Sequence, residues 1–327
     1  MKGMDYEYFN VAPLQKDNFE KIEQHFSQDY FIYATRHTVT QKMIDQCDVI
    51  VGNPPLQYDL NREHLQAILL NSAGSDEYVK PGILSSHTLL ANASGTYGVA
   101  IAEHTIGMIL ALNKNFKTYI QHMQNGIWQA DTIGKELYRQ TVVIVGLGDL
   151  GYTIAKRLKA FDCYNIGVRR RPSQCPSCLD EIYTTDQLED VLSRGDFVIL
   201  ALPQSSQTYH LFDQQKLMLM KRDAVLINVG RGSAIATDDL VNVLNQGHLY
   251  GVGLDVVEEE PLPADHPLWQ MDNVLITPHA SGGYVWESAR TYFTDLVIRN
   301  LEHLKAHEEL ENLVDFQTGY RYHTLNL

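Results

Sequence analysis

The chain has 327 residues, 44% hydrophobic and 20% charged, with a formal net charge of −14; that length suits two ordinary domains with full cores, and the acidic balance argues against nucleic-acid or acidic-membrane partners. No stretch reaches the roughly 18 uninterrupted apolar residues of a membrane helix, and the amino-terminal MKGMDYEYFN lacks the apolar centre of a signal peptide. Four cysteines make no disulfide framework in a chain of this size, so a cytoplasmic globular protein without a membrane partner is expected.

In chain order, FIYAT (Phe31–Thr35), DVIVGN (Asp48–Asn53), AILLNSA (Ala67–Ala73) and HTLLAN (His87–Asn92) read as strands of a parallel sheet, with helical periodicity between several of them. The most apolar helix runs from about Val99 to Leu112; it carries Glu103 and His104, and reads as a buried or interface helix. After Thr141 the alternation restarts with the apolar run Val142–Val145, a glycine-rich turn, an amphipathic helix and a second strand ending in three arginines. FVILALP (Phe197–Pro203), AVLINVG (Ala224–Gly230), YGVGLDV (Tyr250–Val256) and VLITPH (Val274–His279) are the later strands. The last segment, Glu287 to about Lys305, is an amphipathic helix that need not belong to the domain it follows. Two successive runs of β-α units imply an α/β protein of two domains.

Gly146, Gly148 and Gly151 stand in the G-x-G-x-x-G spacing of a dinucleotide-binding turn. One glycine makes the tight turn, one lets the backbone approach a pyrophosphate, and one lets helix pack on strand. The anion would rest on the helix N-terminus, where unpaired N–H groups and the helix dipole favour negative charge. At the end of the second strand, where an NAD-binding fold places an acid for the ribose hydroxyls, the chain has Arg169, Arg170 and Arg171. Guanidinium groups grip a 2′-phosphate that a carboxylate would repel, so NADP(H) is the expected cofactor, with NAD(H) as the other candidate. Which arginine meets the phosphate is left open. Cys175 and Cys178 form a C-P-S-C pair just beyond; zinc would need two more ligands, and Cys47 and Cys163 are not spaced as a second pair, so no metal is expected.

Seven segments together resemble the D-isomer-specific 2-hydroxyacid dehydrogenase family over nearly the whole chain: NSAGSDEY (Asn71–Tyr78), YGVAIAEHTIGMILAL (Tyr97–Leu112), VGLGDLG (Val145–Gly151), LALPQSSQT (Leu200–Thr208), INVGRGSAI (Ile227–Ile235), GLDVVEEEPLP (Gly253–Pro263) and ITPHASG (Ile276–Gly282). The resemblance implies two Rossmann-like/flavodoxin-like parallel-sheet domains. Residues 1–98 plus 287–327 would form a split substrate domain, closing over an inserted nucleotide-binding domain of residues 99–286.

It also implies three catalytic residues. Arg231 would hold a 2-oxo acid's carboxylate and polarise the neighbouring carbonyl through its planar fork. His279 would supply the proton that the carbonyl oxygen needs as hydride reaches the carbon. Glu260, directly before Pro261, would orient the ring and favour imidazolium, with Glu258 as the fallback in the run Glu258–Glu260. Gly74 and Ser75 resemble the loop whose backbone N–H groups meet the substrate carboxylate. Asp255 and Gly282 would lie at the nicotinamide and Pro203 at the adenosine end, with further cofactor contacts at Asp149, Leu150, Thr208, Val229, Gly230, Arg231 and His279. Thr96 fits either the nicotinamide side or a helix cap. Tyr284 and Trp286 fit either a pocket wall or domain packing. The helix Val99–Leu112, with Gly98, Ala100, Ala102 and Gly107 permitting close approach, matches the family's dimer contact, so a homodimer is expected.

The implied reaction is hydride transfer between NADP(H) and a small 2-oxo acid/D-2-hydroxy acid, as in glyoxylate, hydroxypyruvate or generic 2-ketoacid reductases. A 3-phosphoglycerate dehydrogenase-like enzyme is the alternative within the family. A nucleotide-sensing corepressor, binding cofactor and partner peptides, is the alternative of another class.

Overall fold

The computed structural model describes residues 6–317 and 319–321; residues 1–5 of the amino-terminal segment read above, and 318 and 322–327 of the expected substrate domain, lie outside them. Contacts divide the chain into two compact units, Met1–Tyr97 with Gly283–Leu327, and Gly98–Gly282.

The first unit begins with β1 (Glu7–Asn10), α1 (Lys16–His25), β2 (Tyr30–Tyr33), α2 (Gln41–Gln46), β3 (Val49–Val51), β4 (Ala67–Leu69) and β5 (Leu89–Ala91). The strands form one all-parallel sheet in the order β2-β1-β3-β4-β5, the flavodoxin-like order with its switch point between β1 and β3. Parallel strands covered on both faces need apolar residues at every position. Tyr8, Val49, Val51 and Leu69 accordingly pack to one side with Ile22 of α1. Phe9, Ile50 and Ile68 pack to the other with Ile44 of α2.

The second unit runs α3 (Gly98–Asn113), α4 (Phe116–Gln124), β6 (Thr141–Val145), α5 (Asp149–Leu158), β7 (Tyr164–Arg169), β8 (Glu181–Thr184), α6 (Leu188–Leu192), β9 (Phe197–Leu200), α7 (Gln214–Leu219), β10 (Val225–Asn228), α8 (Thr237–Asn245), β11 (Gly251–Leu254) and β12 (Val274–Ile276). Its seven strands are all parallel, in the order β12-β11-β10-β9-β6-β7-β8. Alternate residues serve opposite faces: Val143, Val198 and Leu226 meet α6 to α8, whereas Val142, Ile144 and Ile199 meet α3 and α5. The apolar helix read as buried or interfacial thus covers its own sheet, with Ala102, Met108 and Ile109 buried.

The chain then returns to the first unit with α9 (Glu287–Ala306), whose Phe293, Val297 and Leu301 join the Tyr8 side of the core. The last described elements are the short antiparallel pair β13 (Val314–Asp315) and β14 (Tyr320–Arg321). Several strands are shorter than their apolar runs. β4 stops at Leu69 because Asn71 turns away, exchanging amide bonds with Asn53: Asn71 N–H donates to Asn53 Oδ1 at 2.9 Å, and Asn53 N–H to Asn71 Oδ1 at 2.7 Å. Among the described residues no helix is long and apolar enough to cross a membrane.

Candidate active site

The carboxyl ends of β6, β10, β11 and β12 lie along one edge of the seven-stranded sheet, where ligands of open α/β sheets bind. At the first of them the three glycines do separate work. Gly146 has φ 103°, and a Cβ there would stand 2.5 Å from Ala201 O. A Cβ on Gly151 would stand 2.0 Å from Gly146 O, so only glycine lets α5 sit on the turn. A Cβ on Gly148 would meet no protein atom within 4 Å. No protein atom fills that space, which leaves room beside the turn, and the first N–H groups of α5 suit a pyrophosphate there. Asp149 and Leu150 are the first two residues of that helix. Gly151→Ala is expected to lower stability by about 1–3 kcal/mol through overpacking, whereas Gly148→Ala should leave the melting temperature unchanged and weaken cofactor binding. Thermal unfolding and a cofactor titration of both variants check this.

β7 ends at Arg169, partly buried, whose Nη1 donates to the Tyr152 hydroxyl of α5 at 3.1 Å. That bond aims Arg169 toward the helix carrying the glycine turn, while Arg170 and Arg171 are exposed. Beyond β9, the Thr208 hydroxyl donates to Pro203 O at 2.7 Å and closes the loop between them. Cys175 and Cys178 are both free thiols, Cys175 exposed and Cys178 half-buried, with burial raising the Cys178 thiol pKa.

After β10, the Asn228 side chain shapes the turn of Val229, Gly230 and Arg231: its Oδ1 accepts from Gly230 N–H at 3.1 Å, and its Nδ2 donates to Arg231 O at 3.0 Å. Arg231 Nη1 donates to Gly230 O at 2.9 Å. A Cβ on Gly232 would fall 1.8 Å from Val257 O, so glycine lets the arginine loop lie against the segment that leads to Glu260. Glu260 Oε1 accepts from Val257 N–H at 3.2 Å, and its Oε2 lies 2.8 Å from His279 Nδ1. With Nδ1–H donated to the carboxylate, Nε2 is left as the atom that can exchange a proton. The side chains of His279 and Glu260 are 53% and 38% exposed, open to a ligand.

Glu258 has different partners. Its carboxylate takes His210 Nε2 at 2.5 Å and the Thr237 hydroxyl at 3.0 Å. Burial alone would raise its pKa, but the His210 and Thr237 hydrogen bonds outweigh that and hold it below the usual carboxylate range. The carboxylate beside the histidine is Glu260, and Glu258 braces the loop from the other side.

Asp255 is buried. Its carboxylate accepts from the Thr277 hydroxyl at 2.6 Å, Ala280 N–H at 2.9 Å, Ser281 N–H at 3.1 Å and the Ser281 hydroxyl. The residue expected at the nicotinamide therefore also holds the turn that carries His279 and leads to Gly282. Thr277 and Ser281 had no role in the sequence reading, although both stand in the quoted ITPHASG segment.

The Gly74–Ser75 loop and Thr96 belong to the first unit. The carbonyls of Asn71, Ser72, Ala73 and Gly74 are all occupied, accepting from the Tyr284 hydroxyl (2.8 Å), Ala93 N–H (2.9 Å), Asn92 Nδ2 (3.0 Å) and the Ser72 hydroxyl (2.6 Å). Among the described residues the N–H groups of Ala73, Gly74 and Ser75 have no acceptor. Carbonyls drawn inward with consecutive N–H groups left over make an anion-binding backbone. The Ser75 side chain is buried, its hydroxyl donating to Gly319 O at 2.7 Å, so Ser75 offers its backbone alone. The Thr96 hydroxyl donates to Ala93 O at 2.8 Å and does not cap α3. Tyr284 braces the loop and packs edge-on against Tyr97 and Phe293.

A dinucleotide turn and a carboxylate-held histidine along one sheet edge are the equipment of a nicotinamide-dependent dehydrogenase. Residues 106–281 match the D-isomer specific 2-hydroxyacid dehydrogenase, NAD binding domain, and the chain belongs to that family. It is thus an NAD(P)-dependent oxidoreductase of 2-oxo and D-2-hydroxy acids. It is 35% identical to a glyoxylate reductase of Thermofilum pendens, over 73% of this chain and 71% of that one. It is 34% identical to a glyoxylate reductase of Pyrococcus furiosus, over 85% and 81% respectively. A solved D-isomer specific 2-hydroxyacid dehydrogenase family protein from Aeromonas salmonicida subsp. salmonicida superposes with TM-score 0.83 at 26% identity, covering 96% of this chain and 100% of that one.

Proposed function

We propose that this protein reduces a small 2-oxo acid, of the glyoxylate, hydroxypyruvate or related 2-ketoacid class, to the D-2-hydroxy acid, with NADPH preferred over NADH. The observation that carries the proposal is the 2.8 Å contact of Glu260 with His279 Nδ1, which leaves Nε2 open at the ligand-binding edge of the sheet. Bound NADPH supplies the hydride. The chain's own groups do the rest: Arg231 holds the substrate carboxylate and polarises the adjacent carbonyl, and His279 Nε2–H gives its proton to the carbonyl oxygen. Glu260 keeps the ring in the tautomer and orientation that permit this. The backbone N–H groups at Gly74 and Ser75 are further candidates for the substrate carboxylate. Two glyoxylate reductases among the relatives support the substrate class. The unit of Met1–Tyr97 with Gly283–Leu327 is assigned the substrate, and Gly98–Gly282 the cofactor. Arg231→Ala should lower kcat/KM for the 2-oxo acid by about a hundredfold or more, the loss of a paired charge-assisted contact, and leave NADPH affinity within about twofold; near-normal turnover by that variant would remove Arg231 from the assignment.

The NADP preference is supported by Arg169–Arg171 at the end of β7, where an acid would serve NAD. A homodimer is supported by apolar side chains outside the core: Phe116, Ile120 and Met123 on α4 and Trp128 just beyond are 51, 51, 72 and 104% exposed. These stand out from α3, whose apolar residues cover the sheet, so the contact surface is assigned to α4 and the following segment. Trp128→Glu should shift the protein from dimer toward monomer in light scattering. Four unpaired thiols suit a reducing, cytoplasmic setting.

A further inference from the structure

We infer that His104 is a positioning residue for His279, acting through a relay of His104, Thr277 and Asp255; the inference rests on the reading of His279 as proton donor. His104 Nε2 lies 3.0 Å from the Thr277 hydroxyl oxygen, which lies 2.6 Å from Asp255 Oδ1. A carboxylate has no hydrogen to give, so the single hydroxyl hydrogen of Thr277 is committed to Asp255. The oxygen of Thr277 must then accept, and His104 must donate from Nε2–H. The direction of every bond in the relay is fixed by this count.

The buried carboxylate at its end needs such support. The Asp255 side chain is 1% exposed, and among the described residues the basic group within ion-pair distance is His104 Nε2, 3.8 Å from Oδ1. A buried carboxylate is tolerated when its lone pairs are filled and a positive or donating group stands near. Asp255 in turn determines the backbone of the catalytic turn. Its main-chain oxygen takes His279 N–H at 2.8 Å, and its carboxylate takes the N–H groups of Ala280 and Ser281. His279 has φ 50°, a left-handed conformation that is uncommon for a non-glycine residue, and the Asp255 contacts flank it on both sides in sequence. Loosening the carboxylate would let that turn relax, and the Glu260–His279 geometry with it. α3 carries His104 with a partly exposed side chain (22%), so its loss need not open the core.

The experiment compares steady-state kinetics of His104→Leu, which removes the donor, with His104→Gln, which retains an N–H at similar reach. Thr277→Val and Thr277→Ser ask the same of the middle of the relay, and His279→Gln serves as the control. His104→Leu is expected to lower kcat about ten- to a hundredfold, the scale of a small misplacement of a reacting group. KM for the 2-oxo acid and the NADPH dissociation constant should stay within about twofold. His104→Gln and Thr277→Ser should recover most of the lost kcat, and adding His104→Leu to Thr277→Val should cost nothing more. Unchanged kcat in His104→Leu, or equal losses in His104→Leu and His104→Gln, would overturn the inference. If His279→Gln is inactive while His104→Leu is unaffected, only the relay falls. If His279→Gln is fully active, the reading of the site falls and takes the relay with it.

Discussion

Replacing His279 with glutamine is expected to lower kcat by about a hundred- to ten-thousandfold, the range that a positioned general acid supplies. Glutamine keeps a similar length and can hydrogen-bond Glu260, but it has no proton to exchange near neutral pH. Cofactor affinity should therefore stay near wild type, and the loss should be confined to turnover. Glu260→Gln is expected to fall in between. It retains an acceptor for Nδ1–H but loses the charge that favours ring donation to it, and the Val257 N–H contact can persist. Glu258→Gln should do less to turnover and more to stability, since that carboxylate serves His210 and Thr237. Steady-state kinetics and cofactor titration of the three variants separate these roles. A His279→Gln enzyme with wild-type kcat would end the assignment of this histidine.

Replacing Arg169 and Arg170 together with alanine is expected to raise KM for NADPH about ten- to a hundredfold and to change KM for NADH by less than about threefold. Hydrogen bonds to a charged partner contribute about 1.5–3 kcal/mol each, and solvent at the exposed Arg170 draws the sum toward the lower end. The partly buried Arg169 is expected to contribute more, because its guanidinium donates to the Tyr152 hydroxyl at 3.1 Å. Tyr152→Phe should accordingly weaken NADPH by a few-fold, as the guanidinium loses its anchor. Equal losses for both cofactors in the double variant would make the cluster structural.

What could be read from the sequence follows from how local each feature is. The turn at Gly146–Gly151 was legible because strand, turn and helix are consecutive and their glycines answer to one another: Gly151 is needed by Gly146 O. Both sheets showed as apolar runs because their strands are covered on both faces. β1 was not singled out, since EYFN carries a charge and only four residues, yet it pairs with both β2 and β3. β8, half-buried at the sheet edge, gave no continuous apolar run. Among three adjacent glutamates only the place before Pro261 singled out Glu260, with Glu258 as the fallback; the fold sends Glu258 to His210 and Glu260 to His279. Thr277, Ser281 and His104 were silent because their roles depend on Asp255, which reaches across the turn. The apolar surface on α4 was masked by the stronger hydrophobicity of α3, where apolar character reports a core position.

The most direct measurement is the initial rate of reduced-nicotinamide oxidation, with NADPH and NADH in parallel, against glyoxylate, hydroxypyruvate, pyruvate and bulkier 2-oxo acids. The expected result is turnover of at least one of these acids, faster with NADPH, and lost in His279→Gln. Cofactor binding without turnover of any of them would contradict the proposed reaction, and a preference for NADH would contradict the role given to Arg169–Arg171.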